Sequence, residues 1–195
     1  GGSGAGKSTT AARLAAEHDL HLHGTDESMA EHARRCPPPR CPQLHAFAAM
    51  GLDERWVHRS PQVMLETFPW YRGEAFELLV EDLLALPRDR GVLVEGFRLL
   101  PELVAPLLSG PRQAVWLLPT PRFRRAAFEA RDGLWRIAGR TGDPPRALAN
   151  LLERDRLFTD RLRRQAQRVG VDALEVDTPT GEQELARRVA AALGL

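Results

Sequence analysis

The residues Gly1-Gly2-Ser3-Gly4-Ala5-Gly6-Lys7-Ser8-Thr9 fit the spacing G-x-x-x-x-G-K-[ST], in which backbone N–H groups wrap phosphates and the hydroxyl after the lysine holds Mg²⁺. Lys7 stands out against the composition. The chain has 27 lysines plus arginines, and Lys7 is the only lysine. A compact, flexible ammonium reaches between the β- and γ-phosphates of a nucleotide where a broad planar guanidinium would not fit. The segment from Ser8 to His18 is alanine-rich with apolar residues at helical spacing, so a helix N-terminus with free N–H groups should follow the loop. A glycine-rich linker that merely spells the motif would not run into such a helix.

Two acids stand where strands should end. Leu20 to Gly24 alternates like a short strand and leads into Thr25-Asp26-Glu27, where a new helix can be capped and begin. Gly91 to Gly96 (GVLVEG) reads as a parallel strand buried on both faces and ending in Glu95. Asp26 could orient or deprotonate an acceptor hydroxyl, or simply cap the helix. Glu95 could hold a metal-bound water opposite Ser8, as a second acid of Walker B type.

These sites need elements to position them. Ala114 to Leu118 and Leu174 to Asp177 are further strand candidates, and Pro144 to Val169 and Glu182 to Leu193 read as helices. Strands separated by helices argue for α/β architecture with a parallel sheet. Between the second acid's strand and the first lies a mostly helical insertion, Gln43 to Leu86, with Trp56, Phe68, Trp70 and Tyr71, an aromatic set better suited to core than to a ligand box. Arg55, His58, Arg59 and Arg72 there suit either an anionic acceptor or plain surface charge. Cys36-Pro-Pro-Pro-Arg-Cys-Pro must be a loop, because proline removes donors and clashes with the preceding turn. His32, Cys36, Cys41 and His45 have the ligand types of tetrahedral zinc, though the prolines and the long cysteine gap argue against it.

The sequence resembles the small P-loop kinases, the family of shikimate, gluconate, adenylate and cytidylate kinases. Across the chain the resemblance is architectural, and only the loop motif is highly specific. It implies a three-layer α/β/α P-loop NTPase fold of strand order 2-3-1-4-5 in a single domain over residues 1–195. It also implies ATP-Mg²⁺ binding, with Lys7, Asp26 and Arg140 in catalysis and Ser8 and Glu95 at the metal. An arginine-bearing lid would span about 131–145, with Arg131, Arg136 and Arg140 as its candidates, Arg131 over the adenine and Arg140 at the transferring phosphoryl group. Thr178 and Pro179, after the last strand, would touch the base. Arg154 and Arg156 are also placed to converge on phosphate, with Asp155 between them facing elsewhere on the helix.

The expected activity is transfer of the ATP γ-phosphoryl group to a small molecule in the cytoplasm. A nucleoside or nucleotide acceptor, or a slow ATPase switch protein without an acceptor, are the alternatives; ATP and GTP are not distinguished. A formal net charge of +1 gives no general polyanion surface, no basic stripe with interleaved aromatics suggests nucleic acid, and no apolar run approaches membrane-spanning length. A P-loop is normally fed by a central strand. None precedes Gly1 in the sequence, so the expectation is a first strand missing and a chain poorly stable alone.

Overall fold

Alternation along Val115–Pro119 sets the layering. Val115 and Leu117 face a core built from Ala5, Leu14, Leu185 and Val189, whereas Trp116 and Leu118 face Leu100, Phe158 and Leu162. Successive strand residues point to opposite sides, so this strand carries helices on both faces. The computed structural model describes residues 1–131, 133–178 and 180–195, with positions 111, 128–131 and 133–135 described by backbone alone. The chain is α/β, about 59% helix, with two short parallel sheets of two strands each.

The four expected strands are present: β1 (His21–Gly24), β2 (Val92–Glu95), β3 (Val115–Pro119) and β4 (Asp172–Val176). β1 pairs with β2, bringing Gly24 opposite Glu95, and β3 pairs with β4, bringing Pro119 opposite Val176. Helix α1 (Lys7–Glu17) packs on β1 and β2 and against α10 (Glu182–Leu193). The 26-residue α9 (Pro144–Val169) covers the other face of β3. Its start is fixed by prolines in the first turn and by Asp143, whose side chain accepts from the Arg146 N–H at 3.1 Å; Gly170 at φ 71° ends it.

β2 departs from its expected burial on both faces. Val92 is 38% exposed and the other three residues are half-buried. The cause is a 290 Å³ cavity between the two strand pairs, lined by apolar side chains that include Leu93, Leu117, Leu14, Leu79 and Val189. At its end the loop touches both pairs: the Gly1 amine donates to Gly96 O at 3.4 Å and the Gly2 N–H to Leu117 O at 2.8 Å.

The region Gln43 to Leu86 is helical as expected. It comprises α3 (Pro42–Ala49), a π turn at Glu54–His58, α4 (Pro61–Thr67), a 3-10 turn at Pro69–Tyr71 and α5 (Phe76–Leu84). Phe68 lies within 4.8–6.4 Å, centroid to centroid, of Phe47, Trp56, Tyr71 and Phe97, so the aromatic set is core. The capping expectation at Thr25-Asp26 fails. Helix α2 (Met29–Arg35) starts later with Ser28 ahead of it, leaving the Asp26 side chain outside the helix. Short helices α6 (Pro101–Val104), α7 (Pro121–Arg131) and α8 (Gly133–Ala138) complete the description. Among the described residues no helix is long and apolar enough to cross a membrane.

Candidate phosphate-binding and acceptor site

The loop's backbone is shaped by glycine. Gly4 and Gly6 adopt φ of 75° and 77°, and Gly6 is the left-handed residue that launches α1. The first turn of an eleven-residue helix leaves its N–H groups without intrahelical partners and carries the positive end of the dipole. The Lys7 ammonium folds back onto Gly2 O at 2.8 Å, holding its charge over the loop, and Ser8 and Thr9 are exposed on that first turn. A Cβ at Gly2 would come within 2.8 Å of Thr159 Oγ1 and 2.7 Å of the Pro119 ring. The loop is therefore pressed onto the carboxyl end of β3 and the middle of α9.

Asp26 and Glu95 lie beside it, at the carboxyl ends of the paired strands β1 and β2. The Asp26 residue is open to solvent, yet the surrounding protein strips enough water from its carboxyl to raise its pKa; the Glu95 charge pushes the same way and Lys7 opposes. Thr25 Oγ1 donates to Asp26 Oδ1 at 3.3 Å. Gly96, at φ 151°, allows the chain to turn away after Glu95, where a Cβ would collide with Thr25 Oγ1. Lys7, Asp26 and Glu95 thus lie within electrostatic reach of one another.

Two buried arginines that were not singled out frame this cluster. Arg98 is 2% exposed and donates to Thr25 O (3.1 Å), Ser28 Oγ (3.4 Å), Ala75 O (3.3 Å) and His32 Nδ1 (2.9 Å), with its guanidinium 4.4 Å from the Trp70 ring centroid. Burial lowers its pKa to about 10, while Asp26 and Asp82 counter the drop. Because a guanidinium only donates, His32 Nδ1 must accept, so Nε2 carries the proton that goes to Asp82 Oδ2 at 2.6 Å. Arg98 clamps the Thr25-Asp26 turn from below. Its only sequence signal was its position three residues after Glu95.

The second is Arg124, 2% exposed, bonded to Thr159 Oγ1 and Pro119 O. Burial lowers its pKa, and its Nε has no partner among the described residues. Beside it Arg154, 6% exposed, donates through Nε and Nη2 to Asp155 Oδ1 at 2.9 and 2.6 Å. Asp155 does not face elsewhere on the helix, as expected, but is fully enclosed and also accepts from Tyr71 OH at 3.0 Å. Burial pushes the Tyr71 phenol up, and Ser3 of the loop lies near enough to oppose the shift. One carboxylate serving two buried guanidiniums leaves excess positive charge next to Gly2 and Ser3.

Other expected residues sit apart. Arg156 pairs with Glu153 and Asp160 on the surface of α9. Arg59 is tied within the insertion to Thr67 Oγ1 and Val63 O, and Arg55 to Ala48 O, while His58 and Arg72 are exposed. Arg136 and Arg140 are exposed at the end of α8 and the turn after it. That turn is docked on the insertion, with the Gly142 N–H donating to Asp53 Oδ1 at 2.7 Å. Thr178 lines a 550 Å³ groove with Arg122 and Arg125. The Arg131 side chain and Pro179 lie outside the described residues.

The zinc tetrad is not assembled. Cys36 and Cys41 form a disulfide, His32 is held by Asp82 and Arg98, and His45 Nε2 bonds to Cys36 O at 2.8 Å. All four candidate ligands are engaged elsewhere, and no metal-holding group of histidine, cysteine and acid is found among the described residues. In comparisons with known proteins, no family model and no curated protein matches the chain.

Proposed function

We infer that the chain is a phosphotransferase that moves the γ-phosphoryl group of ATP-Mg²⁺ to the hydroxyl of a small molecule. The observation that carries this reading is the convergence of Lys7, Asp26 and Glu95 beside a helix-terminal glycine loop, with Asp26 raised in pKa and open to solvent. A carboxylate of raised pKa is a better proton acceptor, and its position outside the helix cap leaves it available to an incoming hydroxyl. The observed β1–β2 and β3–β4 pairs correspond to the 2-3 and 4-5 pairs of the three-layer small-kinase sheet, which supports the same reading.

The donors at the metal position, the exposed Ser8 hydroxyl and the Glu95 carboxylate, are hard oxygens that suit magnesium. Bound there, Mg²⁺ would supply charge neutralisation across the β- and γ-phosphates. The protein's own residues supply the rest. Lys7 and the N–H groups of the loop and α1 hold the phosphates, Asp26 takes the acceptor proton, and the buried charge of Arg154 and Arg124 favours the developing phosphoryl anion. Water is excluded on the Arg154 side by Trp56, Phe68 and Tyr71, whose ring centroids lie 5.1–5.4 Å from its guanidinium.

The test is acceptor-dependent ADP release, screened over sugars, hydroxy acids, antibiotics, nucleosides and nucleotides. Asp26→Asn should retain ATP binding and lose turnover, and Lys7→Ala should lose binding. ATP hydrolysis that no acceptor stimulates would point to a switch protein instead.

A further inference from the structure

We propose that a groove between α4, α6 and α9, separate from the P-loop, binds hydrogen phosphate. The groove has a volume of 440 Å³ and is lined by Arg72, Arg161, Arg164, Gln165 and Arg168. Arg161, Arg164, Gln165 and Arg168 recur on one face of α9 at helical spacing, and Arg72 reaches in from the turn after Tyr71.

The charges are not matched from within. Arg161 is paired with Glu66 at 2.6 Å and Arg168 with Glu102 at 2.5 Å. The guanidiniums of Arg72 and Arg164 have no hydrogen-bond or ionic partner among the described residues, so the groove holds two uncompensated charges. Arg154, Arg156 and Arg163 on the same helix, by contrast, have carboxylate partners. Two forked donors converging on one recess favour a tetrahedral oxyanion, which accepts parallel N–H bonds.

A further group narrows the anion. Gln165 Nε2 donates to Glu102 Oε2 at 2.9 Å, which sets the amide so that Oε1 is the end left over; among the described residues that buried oxygen has no donor. With Nε2 held on Glu102, Oε1 is the acceptor left for a donor that enters the groove. Sulfate has none to offer. Hydrogen phosphate carries one P–OH, giving arginines and glutamine a complementary ligand.

The groove is distinct from the candidate active site. Arg164 lies ten residues along α9 from Arg154, roughly 15 Å at the helical rise. Tyr71 connects the two places, because it lines the groove while its hydroxyl bonds to Asp155.

The experiment is calorimetric titration of the Lys7→Ala protein, which silences the P-loop, with inorganic phosphate, sulfate and glycerol phosphate at constant ionic strength. Mildly alkaline pH leaves hydrogen phosphate with its P–OH and the ester with none. Phosphate should bind tightest, Arg164→Ala and Arg72→Ala should each weaken it about tenfold, the loss of a charge-assisted contact, and Gln165→Leu should erase the preference over sulfate. Equal affinity for sulfate or for the ester overturns the assignment, as does phosphate binding that neither arginine substitution changes.

Discussion

Asp155→Asn isolates the charge of the buried network from its shape. The asparagine keeps an oxygen where Arg154 Nε and Nη2 donate at 2.9 and 2.6 Å and Tyr71 OH at 3.0 Å, but removes the charge that offsets two enclosed guanidiniums. Asp155 is 1% exposed and Arg154 is 6% exposed, so water cannot take over. Breaking such a pair by neutralising one partner costs about 3–5 kcal/mol, because an uncompensated charge stays buried. For a chain of this size that lowers Tm by roughly 6–20 °C. Urea unfolding should show the loss as a lower midpoint at unchanged slope. Adding Arg154→Met removes the stranded charge and leaves an apolar chain among Trp56, Phe68 and Tyr71, so the double variant should regain about 2 kcal/mol or more. An Asn variant that loses less than ~1 kcal/mol, or a double variant no more stable than the single one, would refute the reasoning.

Other substitutions probe the acids, the cavity and the loop. Asp26 has a folded pKa above its ordinary value, so its ionised form costs stability once the pH exceeds that range. Asp26→Asn should therefore be the more stable protein at neutral pH, by less than ~1 kcal/mol for a carboxyl this open to water. The difference should vanish in melts below about pH 4, where the acid is protonated in both states. Joining about five apolar β-branched residues to the Gly1 nitrogen, the length of an ordinary strand, fills the cavity between β2 and β3. It also replaces an ammonium whose pKa is held down by burial and by Lys7 with a neutral N–H. Thermal melts should rise for that extension and not for a Gly-Ser extension of equal length. Reducing the Cys36–Cys41 disulfide, which closes a loop of sequence separation 5, should cost about 2 kcal/mol in urea unfolding.

Local chemistry made much of the site legible in advance. The glycine–lysine run is a contiguous pattern that acts through neighbouring backbone, so its sequence alone specified a glycine-shaped loop opening a helix. Asp26 and Glu95 were readable because each follows a short strand pattern, alternating before Asp26 and apolar before Glu95, and a parallel pair puts both carboxyl ends on one edge. The four strands and the long α9 were likewise visible as periodicity and caps.

Contacts between distant segments were decided only by the tertiary structure. His32 has the side-chain type of a zinc ligand, and only the fold shows that Asp82 and Arg98, 50 and 66 residues away, take both its ring nitrogens. Asp155 looked peripheral by helical spacing, but the Arg154 side chain bends back to it and Tyr71 arrives from 84 residues away. In a chain with arginine at almost every basic position, composition could not tell a clamp such as Arg98 from a surface charge such as Arg156. Burial makes that distinction, because a guanidinium enclosed by carbonyls and an indole face must be partnered and fixed, whereas an exposed one is free to pair with whatever carboxylate lies within reach.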